Sequence, residues 1–230
     1  MNTPIRLVGA VVLVVAAAAL FRFVLFPSSA KLSAEQITTL QSLEPRLPEL
    51  LVVQPDAAAL FADAADCHAN PKFAPPAPVP NSGPHADSEW CSASGAFITT
   101  DVSLPMDWDS AAATLSAEVA LHVAAPDRAI ELAKTPPAGL VPITGSVRFT
   151  DADGIGPYSH ILRFRANYPN NVQIFDYYDI HFVENWISVQ ITIVLPGNDV
   201  NNGAAATIAQ AVYNRITQVL AQQSIPTLTP

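Results

Sequence analysis

The segment 175–181 (Phe-Asp-Tyr-Tyr-Asp-Ile-His) brings aromatic, acidic and imidazole side chains close together. Alternate residues of a strand share a face, and aromatic rings beside a carboxylate and an imidazole can form a recognition patch. Two arginines on a neighbouring predicted strand would pair with Asp179, because opposite charges attract across strands. The predicted binding patch is Phe175, Tyr177, Asp179, His181, Arg163 and Arg165. The alternative is that a second layer, such as the N-terminal helices, covers this face and makes the aromatic rings core.

Asp176 falls on the otherwise apolar side of the same strand. It marks a local bulge or a buried carboxylate with a partner such as His160. A buried Asp–His pair can be catalytic, although a structural pair is commoner. The sequence contains no GxSxG nucleophile motif. No catalytic residue is therefore predicted.

Cys67 and Cys91 are the only cysteines, and six prolines stand between them at positions 71–84. Such a stretch cannot join a helix or a central strand, because proline lacks the amide donor. We expect a proline-rich loop over 67–91 that a Cys67–Cys91 disulfide closes, in an oxidising compartment outside the cytoplasm. The competing interpretation is a metal site with His68 and His85. Neighbouring side chains point apart and no CxxC or HxxxH spacing occurs, so no metal is predicted.

The turn Asp151-Ala-Asp153-Gly154 has the composition of the start of a calcium loop. A complete loop needs a bidentate glutamate at its twelfth position, where this chain has Leu162. A hairpin turn is the favoured interpretation. With nine glycines and no glycine-rich phosphate loop, no cofactor is predicted, and a net charge of −9 argues against nucleic-acid binding.

Residues 5–26 form the most apolar window, with 19 hydrophobic residues out of 22. As a helix this window would span about 33 Å, close to the hydrocarbon thickness of a bilayer. The prediction is a transmembrane signal anchor preceded by a short cytoplasmic tail, residues 1–4. The alternative is a signal peptide cleaved after Ala30. Either way, we expect the bulk of the chain outside the cytoplasm.

The remaining segments predict an α+β domain. Residues 31–66 are expected to form a helical stalk or packing helices, over 33–53 with breaks at Pro45 and Pro48 and over 56–66. In the domain 92–225, alternation predicts a strand at 96–102 and four strands over 141–195, joined as an antiparallel meander. Residues 109–125 fit a helix or a strand, 127–134 a short helix, and 203–222 an amphipathic helix. The predicted fold is an antiparallel β-meander packed by helices on one face, preceded by an N-terminal transmembrane helix.

Without residues 5–26, the chain carries 9 basic and 20 acidic residues, a net charge of −11. Its 37 alanines and its excess of arginine over lysine are typical of GC-rich bacterial coding. We therefore expect a non-enzymatic domain of the bacterial cell envelope that binds a partner protein or serves as an accessory subunit. One alternative is a sensor that binds a small ligand or lipid in a pocket between sheet and helices. Another is a hydrolase that uses His160 or His181 with Asp176.

Overall fold

The computed structural model describes residues 33–69, 83–104, 141–143, 146, 148–151, 155, 159–167, 173–197 and 202–223. Several predictions fall outside these residues, namely the membrane segment 5–26, the ambiguous stretch 109–125, the short helix 127–134 and the Asp153-Gly154 turn. Within the described ranges, no helix is both long and apolar enough to cross a bilayer.

The described part of the chain contains short N-terminal helices, then the strands of a large sheet, and then one long C-terminal helix. In chain order the elements are α1 (Ala34–Gln41), a 3-10 helix (Glu44–Leu50), α2 (Gln54–Leu60), β1 (Ala65–Asp66), a second 3-10 helix (Cys67–Ala69), β2 (His85–Cys91), β3 (Phe97–Ser103), β4 (Val141–Pro142), β5 (Arg148–Asp151), β6 (His160–Asn167), β7 (Ile174–Glu184), β8 (Ile187–Pro196) and α3 (Asn202–Gln223).

All eight strands belong to one sheet in which every pair of neighbours is antiparallel. The strand order is β1-β2-β3-β8-β7-β6-β4, and β5 also pairs with β6. The predicted meander is confirmed, because β5, β6, β7 and β8 are consecutive neighbours. The β7–β8 turn has Asn185 and Trp186 at φ 48° and 75°, the left-handed conformation that two-residue hairpin turns need to match strand twist.

Helix α3 covers one side of this sheet, which we call the helix face. The apolar stripe of α3 is buried, as its 3.6-residue period predicts. Its members are Ile208, Val212, Ile216, Val219 and Leu220. They share one core with Ile98 of β3, Ile180 of β7 and Ile191 of β8. The opposite side of the sheet is called the far face.

The N-terminal helices pack on the helix face as well. The buried leucines of α1, the first 3-10 helix and the turn between them belong to the same core as α3, namely Leu40, Leu43, Leu47 and Leu50. The side chains of Ser88 and Trp90 on β2 donate hydrogen bonds to the carbonyl oxygen of Val52, at 3.1 and 2.9 Å. Arg215 of α3 pairs with Asp56 of α2. The helices thus form one layer over one face, as predicted.

Two predictions about the N-terminal half are wrong. The helix expected over 56–66 ends at Leu60, because Ala65 and Asp66 form an edge strand against Cys91 and Trp90. The last part of the predicted proline-rich loop is instead a strand, since His85–Cys91 forms β2 and pairs along its whole length with β3; residues 70–82 of that prediction lie outside the described residues. In both places, pairing with the edge of the sheet determines the secondary structure more strongly than the local composition does.

Candidate functional site

The two arginines of the predicted patch lie apart from its other four residues. Arg163 stands opposite Tyr178 and Arg165 opposite Asp176 in the β6–β7 register, and residues paired across strands share a face. Both arginines therefore lie on the helix face, whereas Asp179 lies on the far face. The predicted pairing of Arg163 and Arg165 with Asp179 is wrong.

The arginines instead form a charged cluster with Asp176. Arg163 Nη2 donates a hydrogen bond of 2.9 Å to Asp176 Oδ1, and Arg165 Nε lies 3.6 Å from the same oxygen. Arg165 Nη2 also donates to the carbonyl oxygen of Gly197 at 3.0 Å. The Asp176 side chain is fully buried, so two guanidinium groups neutralise a carboxylate that water does not reach.

Two buried oxygens of this cluster have no hydrogen-bond partner in the described part of the chain: Asp176 Oδ2 and the Tyr178 hydroxyl. The Tyr178 ring lies beneath Arg163, whose guanidinium carbon is 5.4 Å from the ring centroid, within cation–π range. Burial raises the pKa of Tyr178, which Asp176 raises further and Arg163 opposes. The hydroxyl therefore stays protonated near neutral pH.

His160 is not the partner of Asp176, contrary to prediction. It stands opposite His181 in the β6–β7 register and so lies on the far face. His181, five residues after Asp176 on the same strand, also lies on the far face. The proposed catalytic pairing of Asp176 with either histidine is therefore wrong, since the sheet separates the two side chains.

The other four patch residues share the far face, as strand alternation predicts, yet three of them are buried. Phe175, Tyr177 and Asp179 are each less than a tenth exposed, and His181 is half-buried. Tyr177 stacks on Phe164 of β6 with ring centroids 4.5 Å apart. Together with neighbouring apolar residues these rings form a second, smaller core. The aromatic half of the predicted patch is core, although the N-terminal helices that were to cover it lie on the other face.

Beyond the aromatic half, the far face becomes polar. The Nε2 atom of His181 lies 3.2 Å from Asp179 Oδ1, and Gln190 Nε2 of β8 donates to the same oxygen at 3.0 Å. The His160 ring is stacked against the His181 ring, with centroids 5.2 Å apart and planes inclined by 12°. Carboxylate, amide and imidazole groups thus lie side by side as one polar unit.

This polar unit continues across the sheet as a row of mutually opposed residues. The register places His160 opposite His181, His181 opposite Gln190, Gln190 opposite Asp101, and Asp101 opposite Asp87. The row crosses five strands and runs from buried His160 to exposed Asp87. Its β2–β3 end, with nearby Glu89, carries three carboxylates, and we call Asp87, Glu89 and Asp101 the acidic margin.

Two carboxyl groups of the acidic margin, those of Glu89 and Asp101, have a raised pKa in the folded chain. Burial raises the pKa of Glu89, with Asp87 and Asp66 adding to the rise and His68 opposing it. Burial likewise raises the pKa of Asp101, with Asp87 adding to it and His85 opposing it. Like charges directly opposite one another destabilise a sheet. The opposition of Asp87 and Asp101 therefore does not stabilise this end of the sheet.

The acidic margin was missed at the sequence level because 85–91 was assigned to the proline-rich loop. The signal that would have found it is the alternation within His-Ala-Asp-Ser-Glu-Trp-Cys. Ala86 and Trp90 pack against the helix-face core, whereas Asp87 and Glu89 fall between them on the other face. Period-two alternation ending at a cysteine is typical of a strand.

The cysteine pair stands beside this margin. Cys67 and Cys91 form a disulfide with their Cα atoms 5.1 Å apart, and Cys91 ends the strand that carries Asp87 and Glu89. Because both sulfurs are bonded to each other, neither is a thiolate ligand for the alternative metal site with His68 and His85. Within the described ranges, no group of three or more histidine, cysteine, aspartate or glutamate side chains could hold a metal ion.

Comparison with known proteins finds similarity at the level of structure. No family model matches the sequence, and no curated protein sequence matches it. The structure is similar to the crystal structure of the extracellular domain of PknH from Mycobacterium tuberculosis, with a TM-score of 0.45 and 15% sequence identity. The alignment covers 76% of this chain and 96% of that one. A similarity of this size assigns no ligand or partner to the present chain.

Proposed function

We propose that this chain is a membrane-anchored domain of the cell envelope, of non-enzymatic type, that binds a partner protein through its acidic margin. The observation that carries the proposal is the direct opposition of Asp87 and Asp101 across β2 and β3. Asp87 is exposed and Asp101 is half-buried, so both carboxylates are within reach of another molecule.

Two carboxylates that face each other across neighbouring strands, as Asp87 and Asp101 do, do not stabilise the folded domain. A neighbouring basic surface would supply the missing counter-charge, lower the pKa of Asp101 and convert a repulsion into ion pairs. The chain as a whole is acidic, with a net charge of −9. Complementary charge therefore favours a partner that presents lysine and arginine side chains.

The location outside the cytoplasm is supported by the disulfide and by the sequence of residues 5–26. Disulfides between structural cysteines persist in oxidising compartments and are rare in the cytosol. The hydrophobic window is long enough for one membrane span. A cysteine introduced as Thr229→Cys tests this orientation, because an impermeant thiol reagent should label it from outside intact cells. Labelling from the cytoplasmic side alone would overturn the proposed location.

Partner binding is tested by pull-down of the full chain from detergent-solubilised membranes. We expect a stoichiometric partner with the parent chain and its loss with the double variant Asp87→Asn/Asp101→Asn, whose side chains keep their shape. Glu35→Gln is the matched control, because Glu35 is an exposed acid in α1, which packs on the other face. Equal recovery with the double variant, or no stoichiometric partner with the parent, would refute the proposal.

A further inference from the structure

We propose that the acidic margin binds its basic partner in a pH-dependent way, and that it releases this partner as the medium becomes acidic. The inference rests on the proposed function and adds the regulation of the same surface. The residues that carry it are His68 and His85, two exposed histidines that lie at opposite ends of the margin. Imidazole is the side-chain group that ordinarily changes charge between about pH 5 and 8. Both histidines would therefore add positive charge beside the carboxylates within that interval.

Strand β2 places His85 at one end of the margin. Alternate residues of a strand share a face, so His85 lies on the far face, two positions before Asp87. Asp101 of β3 stands opposite Asp87 and is therefore the diagonal neighbour of His85. Although burial raises the pKa of Asp101, the charge of His85 acts in the opposite direction. A protonated His85 thus offsets the carboxylates of the opposed pair.

The disulfide places His68 at the other end of the margin. Cys91 is the last residue of β2 and is bonded to Cys67, which directly precedes His68. The backbone N–H of His68 donates a hydrogen bond of 2.8 Å to Asp66 Oδ1. Although burial raises the pKa of Glu89, the charge of His68 opposes that rise. The covalent link thus joins a second histidine to the end of the strand that carries Glu89.

Acidification reduces the negative charge of the margin in two ways. Three carboxylates beside two neutral imidazoles carry a charge of −3, and protonation of both histidines changes this to −1. Glu89 and Asp101, whose pKa values burial raises, also take up protons more readily than ordinary carboxyl groups. Besides the margin and its two histidines, Asp66 is the one titratable side chain of the described residues that faces Glu89, and β8 places the uncharged Gln190 opposite Asp101. Lysine and arginine keep their charge over this range, so the attraction of a basic partner to the margin falls.

Titration calorimetry with hexalysine as the probe tests this dependence, using the full oxidised chain in a non-ionic detergent at one ionic strength. Hexalysine has the same charge at about pH 7.5 and about pH 5.5, so a change in affinity reports a change in the chain. We expect binding at the lower pH to be roughly fivefold to twentyfold weaker, because one surface charge pair changes an equilibrium by up to about fivefold. Binding at about pH 6 should also release protons, seen as different heats in two buffers, since the probe favours the deprotonated margin.

The double variant His68→Gln/His85→Gln identifies the source of the effect. Both side chains are exposed, so folding should be preserved. The affinity of this variant should fall by less than about threefold on acidification, because only the carboxyl groups still take up protons. Glu35→Gln is the matched control and should show the full pH dependence of the parent, because Glu35 lies on α1, on the other side of the sheet.

The outcomes separate this inference from the proposed function. Hexalysine binding that requires Asp87 and Asp101 but is equal at both pH values would refute the regulation and leave the partner surface standing. No binding at either pH, or binding that Asp87→Asn/Asp101→Asn leaves unchanged, would refute the inference together with the role of the margin. An equal loss of affinity on acidification in the histidine double variant and the parent would refute the role of His68 and His85. Weaker binding in acid that requires both histidines, with release of protons, supports the inference.

Discussion

Replacement of Asp176 by asparagine is the sharpest test of the charged cluster. The substitution keeps the shape of the side chain and one oxygen for Arg163, but it removes the negative charge that both arginines contact. Removing one partner of a buried ion pair costs about 3–5 kcal/mol, because the remaining charge is left uncompensated. Asp176 is fully buried, whereas the two arginines are partly exposed and can regain some hydration.

We therefore expect the lower end of that range, a loss of about 3 kcal/mol in the free energy of unfolding. For a chain of this length, the corresponding decrease in Tm is about 6–12 °C. Urea unfolding of the oxidised chain, followed by the fluorescence of its three tryptophans, measures the change. The urea slope should stay the same, since the surface exposed on unfolding does not change.

Glu49→Gln is the matched control for this test. It breaks the Arg46–Glu49 pair, an ion pair at the surface of the first 3-10 helix. Surface pairs contribute little to stability, so its unfolding midpoint should match that of the parent. A loss below about 1 kcal/mol for Asp176→Asn, with the slope unchanged, would show that water screens the cluster. The reasoning that Asp176 is a dehydrated partner of the two arginines would then fail.

Three further predictions concern the acidic margin, the disulfide and α3. The raised pKa of Asp101 means that the folded chain holds this proton more tightly than the unfolded chain, so stability falls as pH rises through that window. Asp101→Asn should therefore be more stable than the parent at neutral pH by about 0.2–1 kcal/mol. The gain should vanish below about pH 3.9, and a pH-independent difference in urea midpoints would contradict this. Replacing Cys67 and Cys91 together by serine should cost about 3 kcal/mol, from the loop that the disulfide closes. The parent under reducing conditions should show the same loss, and an unchanged midpoint would contradict it. Ile216→Ala should cost about 2–5 kcal/mol by opening a cavity in the core, whereas exposed Gln218→Ala on the same helix should stay within about 0.5 kcal/mol. Equal thermal midpoints for these two variants would contradict the packing of α3.

The meander and α3 could be predicted because their periodicities are uninterrupted. Strands β1 and β2 could not be predicted, because they are short segments beside alanine-rich and proline-rich sequence. Each forms a strand only by pairing with the edge of the sheet. Neither periodicity nor composition says that β3 lies beside β8, since that contact joins residues far apart in the sequence.

The candidate site could likewise be predicted only in part, because strand register does not follow from local sequence. Alternation along β7 correctly grouped Phe175, Tyr177, Asp179 and His181 on one face. Whether Arg163 joins that face depends on the register between β6 and β7, and a shift of one residue exchanges the two faces of a strand. Local sequence carries no such information, so the arginines were assigned to the wrong carboxylate.

The position of β8 has a consequence for the order in which the chain can assemble. Strand β8 lies between β3 and β7, and its partner residues in β3 come 85 to 97 positions earlier in the chain. Until β8 has been synthesised, the edge of β3 that pairs with β8 has no partner strand. Such long-range pairing slows folding and leaves strand edges exposed to other chains. We expect molecular chaperones to matter most for this chain during that interval, when the centre of the sheet is still missing.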